Sequence, residues 1–332
     1  MSLKAIAKEL GISVTTVSRA LNGYDDVSKE TRARVEAEAQ RRGYRPNTFA
    51  RRLKMGKIGA VGLVFPTQSA PLSNNVFLEM VGEVSRELAR DEIDLLLIAD
   101  DDKSSQHGYM RLVQSRRVDA LIVSHTLDND PRLMQLQDVG FPFLALGRSN
   151  LLKPYAWFDF DNYAGTYQAT RYLIAQGHQR ITLFSENTER AFLLLRRKGY
   201  VDAMTEAGLF EHVILCPPPT RRVGYQIMME QLSCAETAPT AVITDGNVAG
   251  DGVAMALREQ GRLVGDKRIA LVVYDGLSDD SIIDVPVGAI VESTRQSVGL
   301  QISTMVRRLI AGDDIASLQV LWQPEFTPDD NH

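Results

Sequence analysis

Cysteine is scarce here, with Cys216 and Cys234 the only two in 332 residues. They stand far apart and form no C-x-x-C arrangement, which excludes a disulfide scaffold, a thiol redox motif and a cysteine metal site. The five histidines lack metal-ligand spacing. No stretch approaches the ~20 apolar residues of a membrane span, and MSLKAIAKEL lacks the apolar core of a signal peptide. Also missing are a nucleophile elbow, a G-x-x-x-x-G-K-[ST] phosphate loop and a G-x-G-x-x-G after the first strand of the body. The expectation is a cytoplasmic, non-membrane protein that is not an enzyme, with no catalytic residue, metal or cofactor. What is present, 44% apolar and 24% charged residues, suits two or three globular domains and excludes a disordered or collagen-like chain.

The formal charge of −5 hides an asymmetry. Residues 1–57 hold 13 Lys and Arg against 6 Asp and Glu, a surplus of 7 cations, while the other 24 bases face 36 acids, a deficit of 12. A cationic head on an acidic body suggests that only the head approaches a polyanion.

Within the head, LKAIAKEL puts Leu3, Ile6, Ala7 and Leu10 on one helical face behind Ser2. Gly11 can make the turn and Ser13 can cap a second helix, VTTVSRALN, with Val17, Ala20 and Leu21 inward and Val14, Thr15, Ser18, Arg19 and Asn22 outward. This pattern is that of a helix-turn-helix, whose second helix enters the DNA major groove. Arg19 can bond two guanine acceptors, Thr15 can touch base edges, and Ser2, Thr16, Ser18 and Asn22 can reach phosphates. A helical hairpin packed on the body is the alternative. A third helix runs from Ser28 to Arg42 with Val35 inward, and beyond Pro46, Asn47 can cap a short basic helix, TFARRLKM. That segment can place Leu53 as a minor-groove wedge or serve as a solvated linker.

LKAIAKELGISVTTVSRALN, VSKETRARVEAEAQRRGYRPN and ARRLKMGK resemble the DNA-binding head and hinge of the lactose-repressor-type (LacI/GalR) transcription regulators. The resemblance implies operator-choosing positions at Val14 and Thr15, a base reader at Arg19 and the wedge at Leu53. The expected DNA-contacting set is Ser2, Leu3, Ser13, Val14, Thr15, Thr16, Ser18, Arg19, Asn22, Tyr44, Asn47, Ala50 and Leu53, within a head at 1–46 and a hinge at 47–57.

From Ile58 to His332, apolar strand runs alternate with helix-length stretches: IGAVGLVF, DLLLIAD, ALIVS and FPFLAL, then, restarting at AWFDF, ITLFS, VILC, AVITD and ALVVYD. Val/Ile/Leu strands separated by helices mean parallel sheets covered on both faces, here two α/β lobes. The first is expected at about 58–156 and the second at about 157–286, with the chain crossing back after about 286. Ligands of such sheets bind at the carboxyl ends of strands, which places a site between the lobes. Ser124 and His125, Gly147 and Arg148, Asp159 and Asp161, Asp245 to Asn247, and Asp275 fall at those ends, and Phe77 offers a stacking face suited to a sugar. His125 reads as structural and Pro217 to Pro219 as a rigid loop, with Thr220 to Arg222 able to rim the cleft.

The body shares the resemblance through DNYAGTYQATRYLIAQGHQRITLFS, which implies a periplasmic-binding-protein-like architecture and effector-contacting positions at Arg196 and Asp275, with Arg148 facing the pocket. The family's usual Asn-Asp pair is replaced by Asp245-Gly246-Asn247, leaving open which of the two takes the contact. The resemblance implies a homodimeric repressor of a sugar operon, bound to a pseudo-palindromic operator and released by a small sugar. The wording LLLIADDD, AWFDFDN and VVYDGL is most similar to raffinose-operon-type repressors, which implies an α-galactoside such as raffinose or melibiose. An α-glucoside, a corepressor mode and a periplasmic-type sugar-binding protein are the alternatives. No apolar heptad run follows LQVLWQPEF, so a dimer rather than a tetramer is expected.

Overall fold

Serine hydroxyls start two of the three head helices, because each accepts a backbone N–H that the first helical turn leaves unpaired. In the computed structural model, which describes residues 3–21, 24–44, 57–67, 75–100, 107–234, 236–285, 287–292 and 297–329, these helices are α1 (Leu3–Leu10), α2 (Val14–Leu21) and α3 (Lys29–Arg41). Ser13 Oγ accepts from Thr16 N at 3.0 Å and Ser28 Oγ from Thr31 N at 3.2 Å. Gly11, at φ +64°, makes the turn between α1 and α2. Ile6, Ala7, Val17, Ala20, Val27, Val35 and Ala39 form the core, with Leu3, Leu10, Leu21 and Tyr44 packed on its margin. The chain divides into two compact units, Met1–Ile58 and Gly59–His332. Of the expected hinge at 47–57, only Lys57 lies within the described residues.

The body holds, in order, β1 (Ala60–Pro66), α4 (Asn75–Ala89), β2 (Asp94–Asp100), α5 (Gly108–Gln114), β3 (Ala120–Val123), α6 (Pro131–Asp138), β4 (Phe143–Leu146), β5 (Ala156–Phe160), α7 (Asn162–Ala175), β6 (Ile181–Glu186), α8 (Ala191–Glu206), β7 (His212–Cys216), α9 (Arg221–Leu232), β8 (Ala241–Thr244), α10 (Asn247–Glu259), β9 (Ala270–Tyr274), β10 (Gly288–Val291), α11 (Val298–Ala311), a 3-10 turn (Ile315–Leu318), β11 (Gln319–Trp322) and β12 (Glu325–Thr327). One sheet runs in the order β11, β5, β4, β3, β1, β2 and the other β12, β10, β9, β8, β6, β7. Every pairing is parallel except the antiparallel edge of β12 on β10. In the second sheet the pleat sends Val242, Leu271 and Val273 into one apolar layer and Ile243, Val272 and Tyr274 into the opposite one, so both faces are covered.

The topology corrects the expected lobe limits. AWFDF is β5 and pairs with β4 and β11 in the first sheet, so that lobe extends to Phe160 rather than 156. The chain recrosses after β10, which ends at Val291, rather than after 286, and crosses a third time between Trp322 and Glu325. Hydrophobicity cannot mark these limits, because a strand buried on both faces reads alike in either sheet.

Candidate functional site

On the head, α2 turns Val17 and Ala20 inward and leaves Val14 (39% exposed), Thr15 and Arg19 on the surface, with Thr16 and Ser18 half-buried. Arg19 is accessible yet held: its Nε donates to Asp26 Oδ1 at 3.1 Å, its Nη2 lies 2.5 Å from Asp26 Oδ2, and its guanidinium sits 5.0 Å from the centre of the Tyr24 ring. Leu3 and Tyr44 are half-buried, their apolar bodies packed on the margin of the head core. Arg42 pairs with Glu9 at 2.6 Å, and Glu38 binds both Arg41 and Arg42. Hydrogen bonds from Arg41, then Arg42, pull the Glu38 carboxyl down to about 2. Ser2, Asn22, Asn47, Ala50 and Leu53 lie outside the described residues.

In the body, the carboxyl ends of both sheets face a cavity of about 1220 Å³. Phe77, Ser124, Arg196, Asp245, Asn247 and Asp275 line it as expected. Arg148 and Asp161 do not. Arg148 Nε donates to Asp159 Oδ2 at 2.9 Å, and it is Asp159 that reaches the cavity. Asp161 caps α7, accepting from Ala164 N at 3.0 Å, and accepts from Gln323 Nε2 at 3.3 Å. Pro218 to Arg222 rim the cavity. His125, at φ +52°, stands between Phe77 (5.3 Å) and Phe192 (6.1 Å) edge to face, joining the aromatic rings of the two lobes. Next to it the lobes share backbone bonds, Ala191 N to Thr126 O at 2.9 Å and Asp128 N to Glu189 O at 3.1 Å. Burial drives the His125 pKa down to about 3, aided by Arg190 and Arg132, so the ring stays neutral at ordinary pH.

Arg196, on α8, is the hub. Its Nε donates to Asn162 Oδ1 at 2.7 Å, Nη1 to Asp245 O at 2.6 Å and Nη2 to Glu292 Oε1 at 2.9 Å, while the guanidinium lies on the Tyr274 ring at 3.2 Å. The close passage of α7 permits this: a Cβ on Gly199 would stand 2.3 Å from Tyr163 O. Asp245 also serves the fold, its carboxylate accepting from Glu186 N at 2.7 Å. The Asp275 carboxylate and the Asn247 amide, by contrast, have no hydrogen-bond partner among the described residues and border the cavity.

Burial raises the Asp245, Asp275 and Asp159 carboxyls. It pushes Glu292 from 4.5 up to about 8, with Asp275 adding to the rise and Arg196 opposing it. A carboxyl that holds its proton more tightly when folded stabilises the fold at low pH, and that contribution falls away as pH rises from 4.5 through about 8. The urea midpoint of the body should therefore drop between pH 6 and pH 9, and Glu292→Gln should flatten the decline. Equal slopes in the two proteins would remove Glu292 as the source.

The match of residues 58–326 to the model for periplasmic binding proteins and the sugar-binding domain of the LacI family, and of residues 2–47 to that for bacterial regulatory proteins of the lacI family, accounts for both units. The chain belongs to the LacI family. It is 58% identical to the HTH-type transcriptional regulator RafR of Escherichia coli over 99% of this chain and 97% of that one. It is 34% identical to the HTH-type transcriptional regulator AglR of Rhizobium meliloti (strain 1021) over 94% and 88%. Its fold matches the crystal structure of the lac repressor dimer bound to operator and the anti-inducer ONPF, with a TM-score of 0.78, 23% identity and coverage of 100% and 98%.

For a LacI-family transcriptional regulator, sequence reasoning missed Asn162, Phe192 and Glu292, all of which line the cavity. Asp159 was visible as a strand-end acid beside Asp161. Phe192 and Glu292 carried no signal, since the first opens a helix with no regular apolar stripe and the second follows the short strand β10. No helix among the described residues is long and apolar enough to cross a membrane.

Proposed function

We propose that the protein is a cytoplasmic, non-enzymatic repressor of a sugar-utilisation operon. In this reading it binds a pseudo-palindromic operator as a homodimer and is released by a small α-galactoside such as raffinose or melibiose. One observation carries the proposal: each unit leaves open the polar groups its ligand needs, the outer face of α2 with Arg19 on the head, and Asp275 with Asn247 in the cavity of the body. Most of the other cavity charges, Asp159, Arg196, Asp245 and Glu292 among them, bond to the protein itself and so prearrange the site rather than wait for a ligand. A cavity of about 1220 Å³ exceeds the ~300–1,000 Å³ usual for small-molecule sites, which favours an oligosaccharide over a single sugar ring. Aromatic faces at Phe77 and Phe192 suit the apolar sides of a pyranose.

The dimer reading draws on the edge strand β2, which exposes Leu96 and Leu97, and on helix α4, which exposes Val76 and Leu78. Such an edge needs a cover, and a second copy related by a two-fold axis would present both heads to half-sites about one helical turn apart. The test is anisotropy with a duplex that the protein selects from a random pool. Binding should weaken steeply with salt, with a log–log slope of about −0.9 for each phosphate neutralised, and raffinose or melibiose should release the duplex. A flat salt dependence overturns the DNA reading, and indifference to every α-galactoside overturns the effector reading.

A further inference from the structure

An exposed acid on the surface that must approach a polyanion is electrostatically costly, and the head carries one against its own base reader. Asp26 lies in the turn between α2 and α3, with 53% of its side chain exposed, and Arg19 with 45%. That turn is anchored on every side. Tyr24 N donates to Arg19 O at 3.1 Å, Val27 N to Tyr24 O at 3.3 Å and Arg32 Nη2 to Tyr24 O at 2.8 Å, while Val27 is buried in the head core and Ser28 caps α3. The carboxylate is therefore fixed in space, and Arg19 is fixed by it.

We propose that Asp26 is a positioning residue for base readout, gripping Arg19 along its Nε/Nη2 edge so that the Nη1/Nη2 edge faces a guanine. A guanidinium presents two pairs of parallel N–H donors. Asp26 takes the side-on pair, through Nε to Oδ1 at 3.1 Å and Nη2 to Oδ2 at 2.5 Å. Among the described residues the end-on pair is left without a partner, and its spacing matches the O6 and N7 acceptors of guanine in the major groove. The Tyr24 ring, 5.0 Å from the guanidinium carbon, supports the group on one face. Held this way, Arg19 loses less rotamer freedom on binding, and the geometry is correct only for a base that offers two acceptors at that place. Asp26 thus gives up some phosphate attraction for discrimination.

The inference rests on the reading of Arg19 as a base contact, and a double-mutant cycle separates the two. The full chain, Arg19→Ala, Asp26→Ala and the double variant are compared on the selected operator, on operators with single base-pair replacements and on random duplex. Arg19→Ala should erase the preference at one G·C pair in each half-site. Asp26→Ala should reduce that same preference about tenfold while binding random duplex at least as tightly, and should add nothing once Arg19 is gone. Asp26→Asn, which keeps one acceptor, should recover part of the preference. If Arg19→Ala keeps every base preference, the base-contact reading fails and the inference with it. If Arg19→Ala loses the preference but Asp26→Ala keeps it, or weakens all duplexes equally, the inference alone is overturned.

Discussion

Arg196→Ala should destabilise the body by about 3–5 kcal/mol, since each buried acceptor left unpaired costs about 1–3 kcal/mol, and lower its melting temperature by on the order of 10 °C. The residue is only 5% exposed and satisfies three acceptors at once. Its removal leaves Asn162 Oδ1 and the Asp245 carbonyl unpaired, takes away the donor that Glu292 Oε1 accepts from and opens a void against Tyr274 and Phe192. Arg196→Lys should recover only part of this, because an ammonium cannot donate in three fixed directions or lie flat on a ring. Calorimetry of the two variants is the check, and a loss below about 1 kcal/mol in the alanine variant would show that the network does not hold the fold. Loss of sugar response in Arg196→Ala is consequently no proof of a sugar contact.

Asp275→Asn is the cleaner probe of the effector site. The residue adopts φ +68°, a left-handed conformation that asparagine tolerates far better than alanine, so the backbone turn after β9 is kept. Its carboxylate holds no hydrogen-bonded partner among the described residues, so the change orphans none of them. A charge-assisted bond to a sugar hydroxyl is worth about 1.5–3 kcal/mol, and its loss should raise the α-galactoside concentration for half-release of the operator by about 10- to 100-fold. Operator affinity without sugar should stay within twofold and the melting temperature should hold. Half-release at the wild-type concentration would remove Asp275 from the site.

The head was legible almost residue by residue, because its information is local: Ser13 and Ser28 cap, Gly11 turns, and the spacing of Val17, Ala20 and Leu21 sets the inner face. The pairing of Arg19 with Asp26 spans one turn and could have been suspected only with the third helix in place. In the body, the strands could be read but not their assignment to sheets, since nothing in AWFDF or LQVLW tells which sheet each joins. The same limit applies at the site. Arg148 and Asp159 both stand at strand ends, and whether the base or the acid faces the cavity depends on the pleat of β4 and β5. Arg196 looked like a free ligand contact in sequence because its three acceptors come from positions 162, 245 and 292, on separate elements.

Helix α4 has one side in each of two environments. Val76, Phe77, Glu79, Met80 and Glu83 border the cavity, Glu83 also binds Ser297 Oγ and Gly299 N at the start of α11, and Leu78 on the far side is exposed, the helix lying beside the edge strand β2. A helix is about 10 Å across. Whatever fills the cavity and whatever covers that edge are therefore separated by a single rod, so a small roll of α4 would be felt on both sides at once, with no message relayed through either sheet.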